Sequence, residues 1–575
     1  LDYSLKIGGE AGQGIQTVGD TLTKVFSRAG YHVFTHQDYE SRIRGGHNFF
    51  QIRFSDKPVT ASRDGIDIIV ALDKASISLH KKELTPDGLI VYDSGMIGNP
   101  ATFSEKEGGS KFLEIPFVSL ATEHGGSKIM ANTVAVGAVL GMLRLDPGIL
   151  DSIIKAAFKK KGEDIIDSNI KAARSGYDFA VKNCRQCPFP AAPLSEPKML
   201  IAGIDAIALG AIASGCKFYS AYPMTPSTGI MNYLAGKEQE YGIVVEQAED
   251  EISAINMALG ASFAGVRAMT GTSGGGFALM VEGLALAGMT ETPVVIAIGQ
   301  RPGPATGLPT RTEQAELLFV LHAGHGEFPR VIFAPGTPEQ AFYLTNKAFD
   351  IAEKYQVPAF VIFDQYLADS EWTYTGFDPG KTIYKDYRMR ADKLNELSDY
   401  KRHALTDTGV SPLGVPGDSR HLIVTDSDEH DEDGHIIEDA ETRIRMVEKR
   451  LLRKLPLIRK EIQAPPLYGS DKPDIVLAGW GSTFGVMKEA TDILSKDKNI
   501  AMLHFSEIYP FPAEKDYLNI FRNAKLSVCI ENNATGQFAR LMRMETGFEF
   551  RAAINKCDGR PFTVEGLLAR VRNIL

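Results

Sequence analysis

The sequence predicts an α/β protein with three α/β domains. Two observations carry that expectation. Short, continuous apolar runs recur at 66–72, 293–300 and 358–365, and stretches with apolar residues three or four apart lie between such runs. Apolar strands joined by helical crossovers form a parallel sheet covered on both faces. Glycine turns also join strand to helix, at 8–14 and again around Gly479, Gly481 and Gly485.

The bulk numbers agree with this class. At 575 residues the chain holds three or four domains, and 44% hydrophobic with 23% charged residues is ordinary for a water-soluble globular protein. A net charge of −10 argues against nucleic acid as the main partner. No apolar stretch is long and uniform enough to span a bilayer: Glu282 interrupts 278–287 and Asp205 interrupts 201–215. The first ten residues read as a strand start, not a signal peptide. Five cysteines fit a reducing cytoplasm without a disulfide framework.

In chain order, residues 1–185 read as one domain of doubly wound look. YSLKI is a strand, GGEAGQG (8–14) a glycine turn, 15–30 an amphipathic helix, and 31–35, 66–72 and 89–92 are further strands. Gly9, Gly12 and Gly14 lack the spacing of the dinucleotide fingerprint, and Asp38 is the nearest acid to complete one. The stretch 37–53 mixes Arg42, Arg44 and Arg53 with Tyr39, Phe49 and Phe50, as a subunit interface or anionic-ligand loop would. A proline-dense linker, 186–198, overlaps Cys184-x-x-Cys187, whose lone CxxC cannot complete a four-cysteine site.

Residues 199–375 form the clearest α/β domain, with strands expected at 243–247, 267–273, 293–300, 330–335 and 358–365. The run 243–245 reads as a buried parallel strand, and Ile252, Ile255, Leu259 and Phe263 as one apolar helical face. Thr337, Pro338 and Gln340 spell an N-cap, a proline at the first helical position and a capping-box glutamine. Residues 376–470 are polar. Their acidic stretch 426–441 fails the calcium-loop pattern and reads as a solvated loop or subunit contact, and the basic 442–462 as an exposed helix. Residues 471–575 form a third α/β unit.

The chemistry gathers at 219–311. Glu251 opens a helix where an acidic cluster ends, at a place where open α/β sheets bind ligands. Such an acidic first turn also complements a helix dipole, the reading kept for Glu249 and Asp250. Ala254, Ala258 and Gly260 leave room for a flat ring beside Glu251, and the glycine-rich return 270–276 lets backbone amides approach it. Thr225, between Pro223 and Pro226, and Arg301 suit a carboxylate clamp. No Ser-His-Asp order, HExxH or P-loop is present.

Taken together, GGEAGQG at 8–14, AYPMTPST at 221–228, EDEISAINMALGASFAG at 249–265, TSGGG at 272–276, ETPVVIAIGQRPGPATGLPTR at 291–311, DEHDEDGH at 428–435 and ENNATGQ at 531–537 resemble a known family over nearly the whole chain. It is the α subunit of the 2-oxoacid:ferredoxin oxidoreductases, in the form with a γ domain fused at the N-terminus. The resemblance implies a γ domain at 1–185, a pyrimidine-type thiamine-diphosphate-binding domain at 199–375 and a transketolase C-terminal-like domain at 471–575. It implies thiamine diphosphate, Mg²⁺, [4Fe–4S] clusters, CoA and ferredoxin. Glu251 then matches the glutamate that hydrogen-bonds the aminopyrimidine ring, Thr225 and Arg301 the substrate-carboxylate clamp. Tyr222, Pro223, Thr272, Ser273 and Gly274 are the further cofactor contacts.

The diphosphate-binding Gly-Asp-Gly is absent, its near-match Gly417-Asp418-Ser419 lying in a polar loop, and no cysteine set can hold a cluster. The resemblance therefore implies a separate β subunit carrying the diphosphate, Mg²⁺ and cluster sites, an (αβ)₂ assembly, and an inactive isolated chain. The implied substrate is 2-oxoglutarate, with Arg311 a candidate for its second carboxylate. Pyruvate or branched-chain oxoacids, and a non-catalytic assembly role, are the alternatives. The implied reaction is reversible, so one site serves oxidation or carbon fixation in a reductive TCA cycle.

Overall fold

A computed structural model describes residues 1–575 apart from 42–44, 99–110, 185, 186, 188, 195, 514 and 515, so Arg42 and Arg44 lie outside the described residues. The chain forms two compact units. The first comprises Leu1–Ile201, Asp369–Gly376 and Thr563–Ala569; the second comprises Ala202–Ala368, Phe377–Phe562 and Arg570–Leu575. The short segments around 372 and 566 thus join the first unit although the sequence reading groups them with later domains.

The first unit is built on an eight-stranded sheet. Its strands are β1 (Asp2–Ala11), β2 (His32–Asp38), β3 (Gly45–Ser55), β4 (Ile66–Ala71), β5 (Leu84–Tyr92), β6 (Lys111–Glu114), β7 (Met199–Ala202) and, later in the chain, β14 (Glu371–Tyr374), in the order β6-β5-β4-β1-β3-β2-β14-β7. Here the doubly wound expectation needs correction. β1 pairs parallel with β4 but antiparallel with β3, and β3 antiparallel with β2, so the sheet is mixed. β3 was hidden inside the arginine- and aromatic-rich stretch. Its period-2 residues Phe50, Ile52 and Phe54 are buried, and Arg53 is a buried partner of Asp2 at 2.8 Å rather than a ligand-binding arginine. The 8–14 turn is also shorter than expected, because β1 continues through Gly8 and Gly9 to Ala11.

Cys184 and Cys187 are disulfide-bonded, which corrects the expectation of none, and their Cα atoms lie 5.3 Å apart as such a bond requires. Beyond them the chain packs on the first unit: the Tyr31 hydroxyl donates to the Ala192 carbonyl and the Leu194 N–H to that of Ala29.

The second unit holds two sheets. The larger contains β8 (Cys216–Ala221), β9 (Val244–Gln247), β10 (Arg267–Ser273), β11 (Val294–Gln300), β12 (Val331–Phe333) and β13 (Pro358–Asp364), in the order β12-β13-β11-β10-β8-β9, all parallel. β10, β11 and β13 are buried along their whole length, as continuous apolar strands in a covered parallel sheet should be. β9 is different. It is the edge strand, and Val244 is 55% exposed, so an apolar run does not place a strand at the centre.

The smaller sheet runs β15 (Leu467–Gly469), β17 (Ile500–Phe505), β16 (Ile475–Trp480), β19 (Leu526–Glu531) and β20 (Ala552–Asn555), parallel except for β15. A short strand, β18 (Glu507–Tyr509), leaves it and pairs antiparallel with β12.

The polar segment 376–470 is not merely solvated. Glu291, which caps the Gly274–Thr290 helix in left-handed conformation, is 1% exposed and binds the ammonium groups of Lys449 and Lys454 and, at 3.3 Å, the His403 ring. Burial pushes its carboxyl up, but the two ammoniums override this and hold it well below the usual range. A helical reading counts lysines as solvent-facing; here a buried carboxylate draws two of them inside. His430 is wholly buried against His403, so the acidic stretch contributes to the interior too.

Candidate functional site

The candidate site lies at the carboxyl ends of β8, β10 and β11. β8 ends at Ala221, and Tyr222, 41% exposed, begins the turn that follows. Pro223, Met224 and Thr225 are half-buried, and the Thr225–Pro226 peptide is cis. The Ser273 hydroxyl, at the end of β10, donates to the Met224 sulfur at 2.7 Å. One Arg301 Nη donates to the Thr225 carbonyl at 3.0 Å, just beyond β11. The strand ends therefore bring Thr225 and Arg301 together, through the threonine's backbone oxygen. Among the described residues Arg301 has no carboxylate within salt-bridge distance.

The Glu251–Phe263 helix starts where the sequence places it, with the Asp250 carboxylate accepting the Ser253 N–H at 2.7 Å. Asp250 is thus a helix cap. Glu251 is different: it is 4% exposed, and its Oε1 has no hydrogen-bond partner among the described residues. The buried face of this helix is Glu251, Ala254, Ile255, Ala258, Leu259 and Ser262, whereas Ile252 is 49% and Phe263 36% exposed. The expected face is therefore rotated. Ala254 and Ala258 are wholly buried, and a Cβ at exposed Gly260 would meet nothing within 4 Å.

The glycine-rich return is a strand–helix junction. β10 runs through Thr270–Ser273 directly into the Gly274–Thr290 helix, whose first turn is Gly274, Gly275 and Gly276. Ser273 makes no capping bond to it, because its hydroxyl serves Met224. Glu251 lies against Gly276: a Cβ there would stand 2.8 Å from the carboxyl carbon and would also strike Thr272 Oγ1. Glycine at 276 is what lets the carboxyl approach the helix start.

Sequence reasoning missed Glu316. It is 9% exposed, its Oε2 has no partner among the described residues, and its Cγ would lie 2.7 Å from a Cβ at Gly274. Burial pushes its carboxyl up to about 8, Glu313 adds to the rise, and Arg301 opposes it. Two buried carboxyls thus flank one helix start.

The segment carrying Glu316 is braced by the 531–537 motif. Gln314 donates its N–H to the Asn532 carbonyl at 2.7 Å and accepts the Asn532 N–H on its side chain at 2.9 Å. The Glu531 carboxylate, wholly buried, accepts from Trp480 Nε1 at 3.1 Å and from Asn533 and the Phe538 N–H at 2.8 Å. Among the described residues no group of three or more His, Cys, Asp or Glu is arranged to hold a metal, and no helix is long and apolar enough to cross a membrane.

Chemically, the site offers an unpaired carboxylate oxygen able to accept from a ring N–H, a guanidinium open to an anion, and the N–H groups of a helix start. Residues 209–449 match the family model described as pyruvate flavodoxin/ferredoxin oxidoreductase, thiamine diphosphate-binding, and residues 4–179 match that of pyruvate ferredoxin/flavodoxin oxidoreductase. The α subunit of the 2-oxoacid:ferredoxin oxidoreductase of Saccharolobus solfataricus is 32% identical, over 98% of this chain and 96% of that protein. The 2-oxoglutarate oxidoreductase subunit KorA of Mycobacterium tuberculosis is 27% identical over 94% of this chain and 86% of its own length. A solved structure of 2-oxoglutarate:ferredoxin oxidoreductase from Magnetococcus marinus, with 2-oxoglutarate, coenzyme A and succinyl-CoA bound, covers 100% of this chain and 99% of its own at 32% identity and a TM-score of 0.91.

Proposed function

Because the chain belongs to the 2-oxoacid:ferredoxin oxidoreductases, as an α subunit, we propose that it forms half of a thiamine-diphosphate site that oxidises 2-oxoglutarate to succinyl-CoA and CO₂. The observation that carries this is the buried, unpartnered Oε1 of Glu251 beside a glycine helix start. An oxygen so placed is costly to bury unless something donates to it. A protonatable ring nitrogen of the cofactor satisfies it. When bound, thiamine diphosphate supplies the nucleophilic carbon and the electron sink of the reaction.

The residues of this chain do the rest. Glu251 holds a proton at the ring nitrogen, general acid–base help worth about 10²–10⁴-fold. Arg301, pinned by the Thr225 carbonyl, receives the substrate carboxylate, and the Thr225 hydroxyl is its second donor. Tyr222, Pro223, Thr272, Ser273 and Gly274 form the surrounding wall. The diphosphate, Mg²⁺ and [4Fe–4S] cluster belong to a β subunit, and electrons leave to ferredoxin. An (αβ)₂ assembly in the cytoplasm goes with that reading. Support for 2-oxoglutarate and CoA comes from the names and ligands of the Magnetococcus and KorA relatives. Wider oxoacid use, pyruvate included, is favoured by relatives named only for 2-oxoacids.

The test is a steady-state assay of the chain co-expressed with a β partner, with several 2-oxoacids, CoA and a one-electron acceptor. The expected result is the highest kcat/KM on 2-oxoglutarate. An equal or higher value on pyruvate removes the substrate assignment, and no turnover on any 2-oxoacid removes the function.

A further inference from the structure

Glu316 has no part in the chemistry above, yet it is built into the same strand ends. Its backbone N–H donates to the Gln300 side chain at 3.2 Å, so it is tied to the residue before Arg301. Its side chain lies on Gly274, with one oxygen unpartnered among the described residues. The 531–537 motif fixes its segment through Gln314. A surface glutamate would not need that bracing.

We propose that Glu316 gates the Arg301 clamp: as a neutral carboxyl it leaves the guanidinium to the carboxylate of the substrate, and as a carboxylate it competes for it. This rests on the reading of Arg301 as the oxoacid clamp. The groups acting on Glu316 are Arg301, from the end of β11, and Glu313, from its own segment; Gly274 offers it only backbone. Arg301 favours the ionised form, while burial and Glu313 favour the neutral one, and the balance raises the carboxyl to about 8. Near neutral pH the clamp is therefore open. Binding of an anion next to Glu316 disfavours its ionisation further, so at higher pH the oxoacid binds with uptake of a proton.

The gate also accounts for a buried acid that is tied to the residue before Arg301 yet lies outside salt-bridge distance of its guanidinium. A permanent ion pair would neutralise the guanidinium before the substrate arrived. Glu316 is on this account a positioning residue, acting through Arg301.

The experiment uses the co-expressed complex and follows KM and kcat for 2-oxoglutarate from pH 6.5 to 9.5 in the natural protein and in Glu316→Gln. In the natural protein KM should rise above pH 8 by up to about tenfold per unit, while kcat changes less. In Glu316→Gln that rise in KM should vanish. Retained thiamine diphosphate, measured after denaturation, checks that the variant is folded, and Glu316→Asp should restore a pH-dependent KM. Identical KM profiles for the natural protein and Glu316→Gln overturn the gate while leaving the proposed function intact. A complex inactive on every 2-oxoacid overturns the proposed function and the gate together.

Discussion

At the residue scale, three acids in one short region have three fates. Asp250 caps a helix, Glu251 is buried with one oxygen unpartnered among the described residues, and Glu249 is exposed. The sequence singled out Glu251 through the motif around it, not through its burial. Glu316 escaped notice because an acid in TRTEQAELL reads as a first-turn residue, and only the fold shows it lying on Gly274. Thr225 and Arg301 were legible as a pair, but their contact through a backbone carbonyl was not. Losing a charge-assisted bond costs about 1.5–3 kcal/mol. Arg301→Ala should therefore raise KM for the oxoacid by about tenfold to a hundredfold, with bound thiamine diphosphate unchanged. A variant that loses the cofactor but keeps its KM would reassign Arg301.

At the element scale, several strand positions of the second unit were legible and their environments were not. β10 falls at 267–273 as expected, and Thr337 caps its helix by accepting the Gln340 N–H at 3.1 Å. The Gln340 side chain reaches back one residue further than a capping box does, to the Gly336 N–H at 2.8 Å. β9 reads like a central strand but lies at the edge, since three apolar residues carry no information on the number of neighbours. The 442–462 segment misled for a related reason. Its helical pieces, joined by a π turn at Glu448–Arg453, bury Lys449 and Lys454 on Glu291. Removing one partner of a buried ion group costs about 3–5 kcal/mol, so Glu291→Gln should lower Tm by several degrees in a melting experiment. Because the folded carboxyl is held below its unfolded value of about 4.3, that stability is present at neutral pH. It is lost as pH falls through the lowered value, so the gap between natural protein and Glu291→Gln should close in acid. A gap that stays constant from pH 7 to pH 3 would show that Glu291 is not the anion of this knot.

At the scale of the whole molecule, the α/β class was legible because period and composition report layers directly. The mixed first sheet was not, because strand direction depends on crossovers that no local pattern encodes. The family was legible because several long motifs occur in one order, and the relatives match across 98% of the chain. On the proposed reading the site is half of a larger one, with Glu251 as an acceptor for a ring and Arg301 as a clamp for a carboxylate. The most direct test of that account is turnover of 2-oxoglutarate by the co-expressed complex carrying Glu251→Gln. Assembly should be intact and turnover should fall by about 10²–10⁴-fold. Turnover equal to that of the natural protein would contradict it.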